Sequence, residues 1–214
     1  MRWFLGGLIL LWGCWGGELD RVDMGGWDVA VEGDGGHVLF QWPVDPEDFL
    51  EELVIGVDHD PEDTEDWECL SYDGHQGFPW CYDNHNGTDF VLEGGWEAMD
   101  EGVEVVAVAD GQVVGAEDGH YDRCHLDWDF EATCDGFEMI PNAVYVGHGE
   151  GVVTGYLHLK KDSLMVEAGE EVVAGQVLAL VGSSGNSTWP HLHFTVWLDG
   201  EVMDPYQGWW IVGK

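Results

Sequence analysis

Cations are what this chain has least of: six lysines and arginines stand against 43 aspartates and glutamates in 214 residues, a formal net charge of -37. Association with nucleic acid or an anionic bilayer is driven by cations that neutralise phosphate. The balance therefore excludes a nucleic-acid partner and leaves a membrane reachable only through a covalent anchor. Two readings of the acidity stay open. It is either a solvation adaptation to high salt, where ions screen the self-repulsion of like charge, or the surface of an ordinary acidic exported protein.

A long apolar run is also missing. The run from Trp3 to Gly13, behind the positive start Met1-Arg2, is too short to cross a bilayer as a helix and reads as a targeting segment. It ends in Leu11-Trp12-Gly13-Cys14, which resembles the bacterial lipoprotein cleavage box with Cys14 as the lipidated residue. Trp12 departs from the small residues usual there, so plain cleavage or retention remains an alternative. Either way the chain is expected outside the cytoplasm, in the cell envelope or secreted.

No Cys-x-x-Cys spacing occurs, which argues against a four-cysteine zinc site. With Cys14 set aside, the even set Cys69, Cys81, Cys124 and Cys134 suits disulfides in an oxidising compartment. Three pairings are possible. Cys69 with Cys81 and Cys124 with Cys134 is favoured, because each closes a short local loop.

Beyond residues 1–14, residues 15–67 form an acidic, turn-rich stretch. It is expected to begin as a linker and end as a peripheral extension packed on the domain, with Val38-Leu39-Phe40 and Leu53-Val54-Ile55 as short docking strands. Asp58, Asp60 and Glu62 alternate as calcium ligands do, but the glycine of such a loop is absent where the turn needs it. A solvated acidic loop is the expectation.

Residues 68–214 read as one domain without a helical period of useful length. Val103 to Val108 passes through Ala109-Asp110-Gly111 into Gln112-Val113-Val114 as strand, turn and strand. Further strands are expected at Asp89 to Leu92, Ala143 to Gly147, Val152 to Leu159, Val172-Val173, Val177 to Val181 and His193 to Leu198. The implied fold is all-β, antiparallel and glycine-rich, with residues 119–141 as a long insertion.

Against this background three segments carry chemistry: His85-Asn86-Gly87-Thr88-Asp89, Tyr156-Leu157-His158 and His191-Leu192-His193. A catalytic zinc takes three protein ligands and leaves a fourth position for water. His85, Asp89 and His193 can supply the three, which leaves His158 and His191 for proton transfer. Residues two apart on a strand share a face, so His191 and His193 stand side by side. Asn142 and Tyr156 are softer candidates for lining a substrate groove. His37, His59, His75, His120 and His125 fall in polar loops, and His148 ends a strand. Trp80, Trp96 and Trp189 lie near the motifs, where they could stack on a glycan or peptide or simply pack.

The order of these segments, with Gly182-Ser183-Ser184-Gly185 just before the last, resembles the M23 metallopeptidases, the lysostaphin-like or LytM-type peptidoglycan endopeptidases. The resemblance spans roughly Cys81 to Pro205. It implies one zinc ion held by His85 and Asp89 of a His-x-Gly-x-Asp motif and by His193, the second histidine of His-x-His. It also implies catalytic roles for His191 and His158, and matches a Gly169 to Gly175 hairpin and an Asp204-Pro205 closing turn. On this resemblance the chain is expected to be a monomeric zinc endopeptidase acting on the peptide cross-links or stems of peptidoglycan. The alternative is a non-catalytic LytM-like module that activates a cell-wall amidase or binds the wall.

Overall fold

The computed structural model describes residues 38–61, 69–129 and 131–210, so Cys14 and the targeting segment lie outside the described residues. Runs of β-branched and aromatic residues between glycine turns fold as strands. In chain order these are β1 (Phe49–Ile55), β2 (Thr88–Leu92), β3 (Glu104–Val106), β4 (Gly111–Glu117), β5 (His125–Leu126), β6 (Ala132–Thr133), β7 (Ala143–Gly149), β8 (Val152–Leu157), β9 (Glu171–Val172), β10 (Val177–Leu180), β11 (His191–Leu198) and β12 (Glu201–Met203). Eight of them make one sheet in the order β1-β2-β11-β8-β7-β4-β9, with β12 also on β11. The named pairings are antiparallel, as the sequence implies.

Period-2 alternation along β11 divides its side chains between two environments. Leu192, Phe194 and Val196 enter the main core with Phe90, Tyr156 and Leu178. Each such large side chain withdrawn from water contributes roughly 1.5–3 kcal/mol. His191, His193, Thr195 and Trp197 occupy the alternate positions, and Trp197 joins a smaller cluster with Tyr145, Val153 and Leu157. The central strand thus carries a packing face and a chemical face.

Three features differ from the sequence reading. The strands either side of Asp110-Gly111 do not pair with each other: β3 pairs with β10, and β4 with β7 and β9. The linking backbone bonds elsewhere instead, Ala107 N to Gln176 O at 2.9 Å and Val108 N to Tyr156 OH at 3.0 Å. A helix, α1 (Gly95–Glu101), has no counterpart in the sequence pattern. It is too short for a period to show, is anchored by the fully buried Met99, and ends at Gly102, whose φ of 100° breaks the helix while its N–H still reaches Ala98 O. Finally, the described part of the N-terminal extension docks as expected, with Leu53-Val54-Ile55 in β1 paired to β2 and Phe40 bridged to Trp210, but it goes deeper than a peripheral layer. Phe40, Val44 and Phe49 lie in the main core, and Phe40 N donates to Trp209 O at 2.7 Å.

Disulfides join Cys69 to Cys81 and Cys124 to Cys134. The second pins the insertion, which contains the β5–β6 ribbon. Among the described residues, no helix is long and apolar enough to cross a membrane.

Candidate metal centre

Strand register brings the distant motif residues together. Antiparallel pairing sets His193 opposite Asp89 on one side and opposite Leu157 on the other. His85 arrives on the loop before β2, and Gly87 in that loop has a steric reason. A Cβ there would lie 2.6 Å from His193 Nε2 and 2.8 Å from the Phe194 carbonyl oxygen, too close for any side chain.

Three donor atoms converge. His85 Nε2 is 3.1 Å from Asp89 Oδ1 and 3.2 Å from His193 Nδ1, and His193 Nδ1 is 2.8 Å from Asp89 Oδ1. All three residues are buried. Outer contacts fix which ring nitrogen faces inward. His85 Nδ1 lies 2.6 Å from Gly56 O, and since a carbonyl only accepts, Nδ1 carries the proton and Nε2 offers its lone pair. His193 Nε2 meets Thr195 Oγ1 at 2.9 Å, which leaves Nδ1 facing inward. Tyr82 stacks on His85 with ring centroids 4.2 Å apart and directs its hydroxyl to Asp89 Oδ2 at 3.4 Å.

Burial alone would push the Asp89 carboxyl up, but His85, His191 and His193 outweigh it and hold the group well below the ordinary carboxylate value. Asp89 is therefore ionised. With the carboxylate ionised, the two inward-facing nitrogens either carry protons that offset its charge or turn lone pairs to a cation lying among them. Two nitrogens and one oxygen are also a ligand set suited to catalytic zinc, so the residues present fit the ion.

Two more imidazoles complete the cluster. His191 Nε2 is 3.6 Å from Asp89 Oδ1, and the His158 and His191 rings are 4.7 Å apart. Each is oriented by a backbone carbonyl: His158 Nδ1 donates to Ser184 O at 2.6 Å, and His191 Nδ1 donates to Trp189 O at 2.7 Å. Both rings thus present Nε2 toward the centre. Burial first, then His191 and His193, holds His158 well below 6.5 despite Asp89 and the Ser184 carbonyl, so it is neutral near pH 7.

Other expectations need correction. Tyr156 and Asn142 do not line a groove; both are fully buried. The Tyr156 hydroxyl accepts from Val108 N, and the Asn142 side chain bonds the backbone of His120 and Leu159. Asp58 is not solvated. It is buried, its carboxylate accepts from the amides of Asp60, Leu70 and Asn84, and its own N–H donates to His85 O at 2.8 Å. His59 is exposed, as a loop histidine should be, and its ring meets the buried Asp204 at 2.8 Å. His148 turns away from the metal centre, between Asp110 O and Thr154 Oγ1. Ser184 lies in the Gly182-Ser183-Ser184-Gly185 run, whereas Tyr82, Thr195 and Gly56 are supporting residues that the motifs do not single out. Of these three, Thr195 alone leaves a signal in the sequence, since it stands two positions after His193 and so shares its face.

A buried group of two histidines and one carboxylate on an antiparallel β scaffold, with two further imidazoles beside it, has the donor pattern found in mononuclear metallohydrolase sites. The chain belongs to peptidase family M23, whose family model matches residues 83–205. Among curated relatives, it is 34% identical over 120 residues to the peptidoglycan DD-endopeptidase ShyA of Vibrio cholerae, covering 56% of this chain and 22% of that protein. It is 36% identical over 114 residues to the murein hydrolase activator EnvC of Escherichia coli, covering 51% of this chain and 22% of that one. The chain spans about a fifth of the length of each. Among solved structures, the complex of SpoIIIAH and SpoIIQ matches with a TM-score of 0.51 and 21% identity over 78% of this chain and 98% of that one, a likeness of fold.

Proposed function

We propose that this chain is an exported zinc endopeptidase that hydrolyses peptide bonds in the cross-links or stems of peptidoglycan. The observation that carries the reading is the inward convergence of His85 Nε2, Asp89 Oδ1 and His193 Nδ1 beside two imidazoles whose Nε2 atoms remain available. His85, Asp89 and His193 would hold the ion, whose chemistry when bound is Lewis acidity toward the scissile carbonyl and toward water. His158, kept neutral by burial, can accept a proton at Nε2. The carbonyls of Ser184 and Trp189 hold His158 and His191 in one tautomer, so neither ring must reorient before a proton moves. A ring that has taken up a proton at Nε2 can then donate it to the oxyanion or to the departing amine.

The similarity to a murein hydrolase activator favours a second reading, a module that acts through another hydrolase. A binding-only module has no need of two carbonyl-anchored imidazoles beside a ligand set, and that weighs against it. The deciding experiment measures bound zinc and the release of soluble muropeptides from purified sacculi by wild type and His158→Ala. The proposal expects about one zinc per chain in both and product from wild type alone. Equal product from the two proteins, or zinc with product from neither, would refute it.

A further inference from the structure

Beside the metal centre, the disulfide-pinned insertion, α1 and the segment preceding β11 border an open cleft of about 410 Å3, within the range of about 300–1,000 Å3 filled by small ligands. Its walls are aromatic. Trp189 lies against Gly95, where any Cβ would collide with the indole, and meets Trp96 edge-on at 5.8 Å. Tyr121 adds a third ring, braced from behind by Phe137 at 4.5 Å. Trp189 is nearly half exposed, an unusual setting for so large an apolar surface.

The polar groups of the cleft are arranged for hydroxyls rather than for charge. Tyr121 donates to Asp135 Oδ2 at 2.6 Å, which leaves Oδ1 free to accept. His125 donates from Nδ1 to the Arg123 carbonyl and keeps Nε2 available. The Arg123 guanidinium is neutralised by both carboxylate oxygens of Asp100, at 2.6 and 3.3 Å, and lies over the Trp96 ring. A carboxylate-bearing peptide stem therefore finds no free countercharge here, in a chain already carrying a net charge of -37. A neutral sugar finds aromatic faces for its C–H surfaces, and a carboxylate and an imidazole for its hydroxyls. The glycan strand is the neutral part of peptidoglycan, since its amines are acetylated and its lactyl carboxyls are consumed in amide bonds to the stems.

We propose that this cleft is a glycan subsite, holding an N-acetylhexosamine unit of the strand while the attached peptide reaches His158 and His191. The inference rests on the peptidoglycan reading above. A single residue joins the two sites, because the Trp189 carbonyl that orients His191 at 2.7 Å belongs to the residue whose indole walls the cleft.

The test is titration of the full chain with the neutral tetrasaccharide of N-acetylglucosamine, followed by calorimetry, in the His158→Ala background so that binding is read without hydrolysis. Saturable binding is expected, weakened about tenfold by Trp189→Ala and by Asp135→Asn, and unchanged by a zinc chelator. Asp135 has a φ of 54°, which asparagine adopts readily, so Asp135→Asn keeps the fold should Trp189→Ala not. In the otherwise wild-type enzyme, Asp135→Asn should raise KM on intact sacculi and leave KM on a glycan-free cross-linked peptide unchanged. No saturable binding of the tetrasaccharide, affinity in both variants equal to that of the parent, or binding of the glycan-free peptide in its place would overturn the proposal. Loss of the peptidase reading shows itself separately, as absence of hydrolysis of either substrate with glycan binding intact.

Discussion

Thr195 offers the sharpest test of how the centre is built. Its hydroxyl is buried and lies 2.9 Å from His193 Nε2, and Thr195 is not itself one of the three inward-facing donors. Thr195→Val keeps the shape of the side chain and removes only the hydroxyl, which here accepts from Nε2–H. The Nε2–H is then left buried without a partner, at a cost of about 1–3 kcal/mol. His193 can escape that cost by moving its proton to Nδ1, where Asp89 Oδ1 waits at 2.8 Å. That tautomer has no lone pair to offer an ion, so the penalty falls on metal binding. The expected loss is about 10–100-fold in zinc affinity, or about 1.4–2.7 kcal/mol. Competition against a chromophoric chelator at pH 7 measures it, with Thr195→Ser as the control that retains the hydroxyl. Unchanged affinity in Thr195→Val would show that the orientation of His193 is set by packing against Gly87 and not by this hydrogen bond.

Other consequences can be checked more briefly. His193→Ala should abolish both zinc binding and hydrolysis, whereas His158→Ala should keep zinc by elemental analysis and lose roughly 10²–10⁴-fold in kcat. His148, pushed down to about 4 by burial against the pull of the Asp110 carbonyl, is neutral in the folded chain while the unfolded chain takes up its proton near 6.5. Its contribution to stability is therefore complete above about pH 6.5 and is lost as pH falls toward 4, an interval worth about 3 kcal/mol. Denaturant unfolding of wild type and His148→Gln at pH 7 and pH 4.5 should show the smaller acid loss in the variant, and parallel losses would refute the assignment. If the net charge of -37 is a salt adaptation, the melting temperature should climb from low salt to 1 M NaCl, where the screening length is about 3 Å; a flat response would favour the ordinary acidic surface.

What the sequence makes legible depends on the range of the interactions involved. His191 and His193 sit two apart on β11 and share a face, which a period of two predicts without knowledge of any partner strand. The glycine-punctuated strands are legible for the same local reason. The Asp110-Gly111 turn misleads, because a turn dipeptide constrains the backbone but not the choice of partner strand, and β3 finds β10 across the fold. Tyr156 misleads in the opposite direction. A tyrosine next to a motif histidine suggests a groove, yet alternation along β8 turns it into the core, where Val108 N and Thr154 Oγ1 engage its hydroxyl. The burial of Asp58 leaves no local trace, since the amides around its carboxylate come from Asp60, Leu70 and Asn84, and two of these are distant in sequence.

His158 joins these local and distant levels. It directly follows β8, whose last residue, Leu157, is paired with His193, so register alone delivers it to the edge of the metal centre. Its φ of 61° is left-handed, a conformation that costs a non-glycine residue about 1–2 kcal/mol. Glycine would relieve the strain, but it has no ring to donate to Ser184 O or to face His191 at 4.7 Å. A residue held against its backbone preference by surrounding structure is a mark of function more than of folding. His158→Gly should consequently be no less stable than His158→Ala, because the glycine regains what the left-handed backbone costs, and both should be equally inactive. A His158→Gly variant markedly less stable than His158→Ala would mean that the backbone at this position is relaxed and that its geometry is no guide to catalysis.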